Sequence, residues 1–332
     1  MCVNFGNGSE QVEVFLCSAH EQARQNRRKT HRLGSQRVKL RSVVGVVERK
    51  GNLKCAMLNV DGLSPSTLED IKEVFVKKQP DLCYILESKR REEDIGIDIA
   101  IDGYAFHEVR RSDVSGDKGG GGLVCYTRIV DGVVFQEYKP DIGDPDKHFV
   151  AKERMWMKTE SSVHKTVICG AYFGCQTVDD KYGCWNEAMY DTLHEEVTLL
   201  KNQGFRVVVL ADFNGHVGNK LGEGVVGNNG DVNPNVRRFL NFLRFSGMKH
   251  VNGLRHLTKG LWTRQRGSSK SILDFATVTE EHLPTVQSLV IDDKGVYGGG
   301  ADHNWMFLSL LDNFMLTLSL LWSGSTAGRQ TV

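Results

Sequence analysis

The sequence predicts an α/β fold in which two sheets pack face to face and helices lie outside. Three observations carry this. A strand–helix–strand unit that runs straight into a carboxylate occurs twice, at 53–87 and 166–212. The strands of both units are nearly continuous apolar runs, the pattern of strands covered on both faces. The composition, 332 residues with 40% hydrophobic and 25% charged, excludes a disordered or collagen-like chain and supplies a large core.

The elements follow in order. LKCAMLNV (53–60) reads as a strand. Ser66 and Glu69 then form an S-x-x-E capping box before a helix that carries Leu68, Ile71 and Phe75 on one face. Pro80 stops that helix, and LCYIL (82–86) is a buried strand ending on Glu87. Residues 118–128 and 154–159 are strand-like. TVICGAYF (166–173) opens the second unit; a helix over 186–203 buries Met189, Leu193, Val197 and Leu200 and stops at Gly204. RVVVLA (206–211) is a strand ending on Asp212. A helix at 235–245 turns Val236, Phe239, Leu240 and Leu243 inward, and strands at 271–278 and 304–311 complete the pattern.

Length alone suggests two domains, but this pattern favours one, at 51–312, between a leader (1–50) and an apolar tail (313–332). The leader holds ten Lys/Arg against four acids, a net +6, whereas the remainder holds 32 bases and 37 acids, a net −5. The overall charge of +1 therefore hides a basic, poorly ordered arm able to attract polyanions. None of the eight cysteines forms a CxxC pair, which excludes the usual zinc spacings. Cys55, Cys83, Cys125 and Cys169 lie in apolar strands and read as small buried hydrophobes in a reduced, intracellular protein. Residues 305–322 are apolar, but Asp312 and Asn313 interrupt them. A charge near mid-bilayer costs about 2.5–3.5 kcal/mol, so no membrane span is expected.

The chemistry-bearing residues sit at strand ends. Asn59-Val60-Asp61-Gly62 follows the first strand and, alone, is as consistent with a turn. Glu87 suits a hard cation, which takes one or two carboxylates. In Asp212-Phe213-Asn214, alternation places the carboxylate and carboxamide on one side, where they can activate and align a water; the alternative is an Asx turn. Asp274 lies in an otherwise apolar strand and needs a buried partner. Asp302-His303 follows a glycine run, and a histidine there can donate to a phosphoryl oxygen with Asp274 charging it.

No one motif is specific, but their order is. Asn59/Asp61, Glu87, Tyr172, Asp212-x-Asn214, Asp274 and Asp302-His303 together resemble the endonuclease/exonuclease/phosphatase superfamily over about residues 53–311. The resemblance implies a DNase I-like four-layer α/β sandwich of two packed mixed sheets flanked by helices. It implies Mg²⁺, or Mn²⁺, held by Glu87 with Asp61, Asn59 and Asp302. It implies Tyr172 at the scissile phosphate, Asp212 activating water with Asn214, and His303 supported by Asp274 stabilising the phosphorane. The stretch after Asp212, together with LWTRQRGSSKSILDF, is similar to the endonuclease domain of LINE-type retrotransposons, in which Thr263 matches a threonine near the phosphate. The implied activity is a metal-dependent DNA endonuclease, expected in the nucleus. Alternatives are an abasic-site or phosphomonoester hydrolase of the same fold, or an inactive nucleic-acid-binding remnant. The inositol-phosphatase pattern W-x-G-D-x-N is absent. Departures from the superfamily motifs are Leu86 for Gln, Ala211 for Gly, Ile272-Leu273 before Asp274, Phe275 for Tyr and Ala301 for Ser.

Overall fold

The computed structural model describes residues 2–3, 14–15, 41–110, 121–129, 133–143, 153–159, 165–174, 183–217, 234–298 and 302–322. They belong to two compact units, one of Met1–Gly45 with Ser319–Val332 and one of Val46–Leu318. In the first, Cys2–Val3 pairs antiparallel with Val14–Phe15. Most of the expected leader, the expected strand at 118–120 and residues 323–332 lie outside the described residues.

The first repeat is β1 (Arg41–Asn59), α1 (Pro65–Lys78) and β2 (Leu82–Leu86). Strands β3 (Tyr104–Val109), β4 (Leu123–Arg128), β5 (Phe135–Tyr138) and β6 (Arg154–Thr159) follow. The second repeat is β7 (Thr166–Tyr172), α2 (Gly183–Asn202) and β8 (Arg206–Asp212). Helix α3 (Pro234–Ser246) leads into β9 (Met248–His250) and β10 (Thr258–Lys259). A hairpin of β11 (Arg264–Arg266) and β12 (Ser269–Ser271) precedes β13 (Asp274–Thr279), β14 (Val286–Ile291) and β15 (Met306–Trp322).

The strands form two mixed sheets. The seven-stranded sheet has the order β10-β14-β15-β1-β2-β4-β3 and the six-stranded sheet β9-β13-β8-β7-β6-β5. Each repeat contributes a parallel pair at a sheet centre, β1 with β2 and β7 with β8. Alternation along these strands explains the layering. Cys55 and Met57 of β1 meet Ile168, Val208 and Leu210 between the sheets. Ala56 and Leu58 point the other way, onto Leu68, Ile71 and Phe75 of α1. Val207, Val209 and Ala211 of β8 face Leu193 and Val197 of α2 and Phe239 of α3. Helix, sheet, sheet and helix pair thus make the expected four-layer sandwich.

Local details differ from the sequence reading. The first helix is capped by Ser64, not Ser66: the Ser64 hydroxyl accepts from the Thr67 amide at 3.1 Å, and Pro65 takes the first turn, where its missing N–H costs nothing. Glu69 instead pairs with Lys72. The expected strand at 304–311 runs on as β15 to Trp322, through the start of the expected tail. No helix among the described residues is long and apolar enough to cross a membrane. Asp312, which interrupts that apolar run, is fully buried and forms an ion pair with the equally buried Arg206 at the start of β8. Arg206 also donates to the Leu311 carbonyl and the Thr166 hydroxyl, each at 2.9 Å. All four strand cysteines are buried free thiols, as expected.

Tyr84 of β2 holds the sheets together at their centre. Its fully buried hydroxyl reaches the carbonyls of Ile168 (2.8 Å) and Met155 (3.1 Å) on the facing sheet. The ring lies against Gly170 of β7, where an added Cβ would come 2.2 Å from it. Gly170→Ala is therefore expected to destabilise the protein by about 1–3 kcal/mol through overpacking, read as a lower urea midpoint with an unchanged m-value.

Candidate active site

The repeats converge at one end of the sandwich because the carboxylates follow directly on the strands. Asp212 is the last residue of β8; in register it lies beside Tyr172 of β7 and opposite Asp274, the first residue of β13. Asp274 thus opens its strand rather than lying within it. Asn59 closes β1, and Glu87 follows β2.

Asn59 ties the two sheets together here. Its buried amide nitrogen donates to Glu87 Oε1 at 2.8 Å and to Asp212 Oδ2 at 2.9 Å. Its oxygen accepts from the Asp61 amide at 3.1 Å. Asp212 Oδ1 accepts from the Asn214 amide at 2.9 Å, which is the Asx turn, and the Asn214 side-chain nitrogen donates to the Phe173 carbonyl at 2.7 Å. A turn, not strand alternation, therefore fixes this pair. His303 Nδ1 donates to Asp274 Oδ2 at 2.8 Å, and its Nε2 stands 3.9 Å from Asp212 Oδ2. All ten residues singled out in the sequence are described. Asn59, Glu87, Asp212, Asp274 and His303 form one connected set, with Asp61, Tyr172 and Asn214 flanking it through the backbone.

Thr263 and Asp302 border this set through other partners. The Thr263 hydroxyl is fully buried and accepts from the amides of Leu273 (2.9 Å) and Asp274 (3.1 Å), so it aims the start of β13. Asp302 is paired with Arg264. Asn252, unmarked in the sequence, braces the same strand by donating to the Asp274 carbonyl (3.0 Å) and accepting from the Ala276 amide (2.9 Å). Lys89, also unmarked, forms an ion pair with Asp61. Only its position two residues after Glu87 could have drawn attention to it. Two motif departures find their reason in packing. Leu86 points into the core between the sheets. Phe275 joins a chain of rings, 4.7 Å from Phe239, which in turn is 4.3 Å from Phe213; no hydroxyl partner is needed there.

The backbone stores strain at this site. Asp61, Glu87, Lys89 and Asn214 have φ between 46° and 53°, the left-handed region that L-residues other than Asn and Asp seldom occupy. Among the described residues the only other non-glycine case is Gln79, the C-cap of α1.

Burial sets the charges. Desolvation raises the Glu87 carboxyl above its ordinary range, Asn59's hydrogen bond counteracts it, and Asp61 adds to it. Desolvation, with the neighbouring Asp274, lifts Asp212 to about 7. For His303, burial acts to lower the value, but Asp274, Asp212 and Asp302 outweigh it and hold the ring charged up to about 10. The stability contributed by that charge is full below the ordinary 6.5 and is lost as pH rises through about 10.

Glu87, its charge only partly offset by Lys89 and His303 and with hard oxygen donors around it, fits a divalent cation such as Mg²⁺ or Mn²⁺. Asp212, Asp274 and His303 also bring ligand atoms within 4.8 Å of one another. There His303 Nδ1 is already engaged by Asp274 Oδ2 at 2.8 Å. Glu87 with Asn59 and Asp61 is therefore the better-fitting set.

No family model matches the chain, and no curated protein matches it by sequence. Solved structures do. The AP endonuclease LMAP from Leishmania major superposes with a TM-score of 0.61 at 12% identity, covering 78% of this chain and 88% of that one. The endonuclease domain of TRAS1, a telomere-specific non-LTR retrotransposon, gives 0.53 at 11%, covering 79% and 99%. The 3′ phosphatase NExo from Neisseria, bound to product DNA hairpin, gives 0.56 at 15%, covering 78% and 99%. The chain therefore shares the fold of these three structures, two mixed sheets packed between helices.

Replacing Asp274 by Asn removes the anion that holds His303 charged. The His303 pKa is expected to fall by roughly one to three units, measured by NMR titration of its imidazole protons.

Proposed function

We propose that this protein is a metal-dependent phosphodiesterase that nicks DNA, an endonuclease of LINE-type retrotransposon origin. The observation that carries the reading is Asn59's amide, which brings a cation-seeking carboxylate, Glu87, and a near-neutral carboxylate, Asp212, to one point beside the charged His303. Phosphodiester hydrolysis needs these three functions together. The neighbouring folds support the substrate class: one is an AP endonuclease, one a retrotransposon endonuclease domain, and one is bound to a DNA product.

In this reading Asp212, with its pKa near neutrality, takes the proton from an attacking water. The water oxygen bonds to phosphorus as the P–O3′ bond breaks, leaving a 5′-phosphate and a 3′-oxyanion that takes a proton from solvent to become the 3′-hydroxyl. Charged His303 stabilises the phosphoryl oxygens, and Asp274 keeps it charged and oriented. Tyr172, beside Asp212, contacts the scissile phosphate. Asn214 shapes the turn that presents Asp212. A divalent cation held by Glu87, Asn59 and Asp61 would supply charge neutralisation at the phosphate. The basic leader adds sequence-independent affinity that weakens with salt, and the protein works in the nucleus.

Supercoiled plasmid with Mg²⁺ is expected to convert to open circles, and a chelator to prevent this. Asp212→Asn and His303→Ala should each slow nicking on the order of 10²–10³-fold with unchanged circular dichroism. An abasic duplex run in parallel separates general nicking from repair-type incision. Plasmid that stays intact over a wide protein range would sink the endonuclease reading.

A further inference from the structure

Arg264 is a second fixed positive charge at this site. It opens β11 directly after Thr263, and a β-bridge sets it opposite His303. The bridge is tied on both sides, by the Gln265 amide to the Asp302 carbonyl and by the Asn304 amide to the Thr263 carbonyl, each at 2.7 Å. The guanidinium donates from Nε (2.9 Å) and Nη2 (2.6 Å) to the same oxygen of Asp302. The other Asp302 oxygen lies 3.7 Å from His303 Nε2. Both oxygens of this carboxylate are therefore occupied, one by the guanidinium and one by the imidazole edge.

The pair contrasts with Asp61–Lys89 across the site. There the side chains are 56% and 35% exposed, and one ammonium on a flexible stem makes the contact. Such a pair is worth little in water and yields readily to a divalent ion. Asp302 and Arg264 are 21% and 27% exposed, and the guanidinium is permanently charged and positioned by the strand bridge. An ion approaching Asp302 would also meet the repulsion of Arg264.

We propose that Arg264 occupies the electrostatic place of a second metal ion, holding Asp302 out of metal binding, so that the site takes a single divalent cation at Glu87. This rests on the metal-dependent reading above, and it withdraws Asp302 from the ligand set that the superfamily resemblance implies.

The test is Mn²⁺ titrated into the full-length protein, with free ion followed by electron paramagnetic resonance. One ion per chain is expected. D302N should keep that ion with affinity within about threefold, whereas E87Q should weaken it by roughly tenfold or more. R264M should admit a second, weaker ion, and R264M/D302N should return to one; circular dichroism checks that each variant is folded. Two ions in the wild type, a D302N loss as large as that of E87Q, or a folded R264M that still binds one ion would each overturn the proposal while leaving metal dependence intact. No Mn²⁺ binding by the wild type would overturn both.

Discussion

The site depends on one buried carboxamide. Asn59 stands at the end of a strand in one sheet and donates to Asp212 at the end of a strand in the other. The same nitrogen donates to Glu87. A carboxylate pair this close repels itself, and in a buried setting the repulsion is strong. Asn59 offsets it without adding charge, so Glu87 keeps its demand for a cation. A lysine in that place would quench the demand; an aspartate would add to the repulsion. The flanking turns answer the same need: Asp61, Glu87 and Asn214 all take left-handed backbone, which turns each chain sharply as it leaves its sheet.

Positive charge is distributed rather than concentrated. His303 is held by Asp274, Arg264 by Asp302 and Lys89 by Asp61. Each base has one close carboxylate partner, and His303 also faces Asp212 and Asp302. Matching sets the division of labour between the cation side of the site and the imidazole side. Burial alone would push all the carboxylates toward neutrality.

Much of this was legible in the sequence because the core strands are chemically blunt. LCYIL and RVVVLA can only be buried, and a carboxylate that ends such a run has to leave the core at a defined point. Both repeats and the packing of two sheets with helices outside followed from that, whereas the four-layer order and the joining of Glu87 with Asp212 in one site came from the motif resemblance. Strand β3, with its exposed and half-exposed residues, has no such pattern, and β10 to β12 are too short to carry one. The roles of Thr263, Asn252 and Arg264 rest on backbone partners far away in sequence, which no local periodicity encodes. For Asn214 strand alternation reaches two residues beyond Asp212, where β8 ends, and the alternative reading, an Asx turn, is the one found.

Strand β8 shows a further demand of such a core. Its centre, Val207-Val208-Val209-Leu210, is apolar on both faces. A slide of two residues along its neighbours would exchange one aliphatic side chain for another, so hydrophobicity cannot say where the strand should stop. Its ends can. Arg206 finds Asp312 and Thr166 at one end, and Asp212 finds Asn59 at the other. Any slide would strand a charge in the core at one end and break the Asn59–Asp212 contact at the other. The buried ion pair, at the opposite end of the strand, thus acts as an anchor that indexes Asp212 to its place.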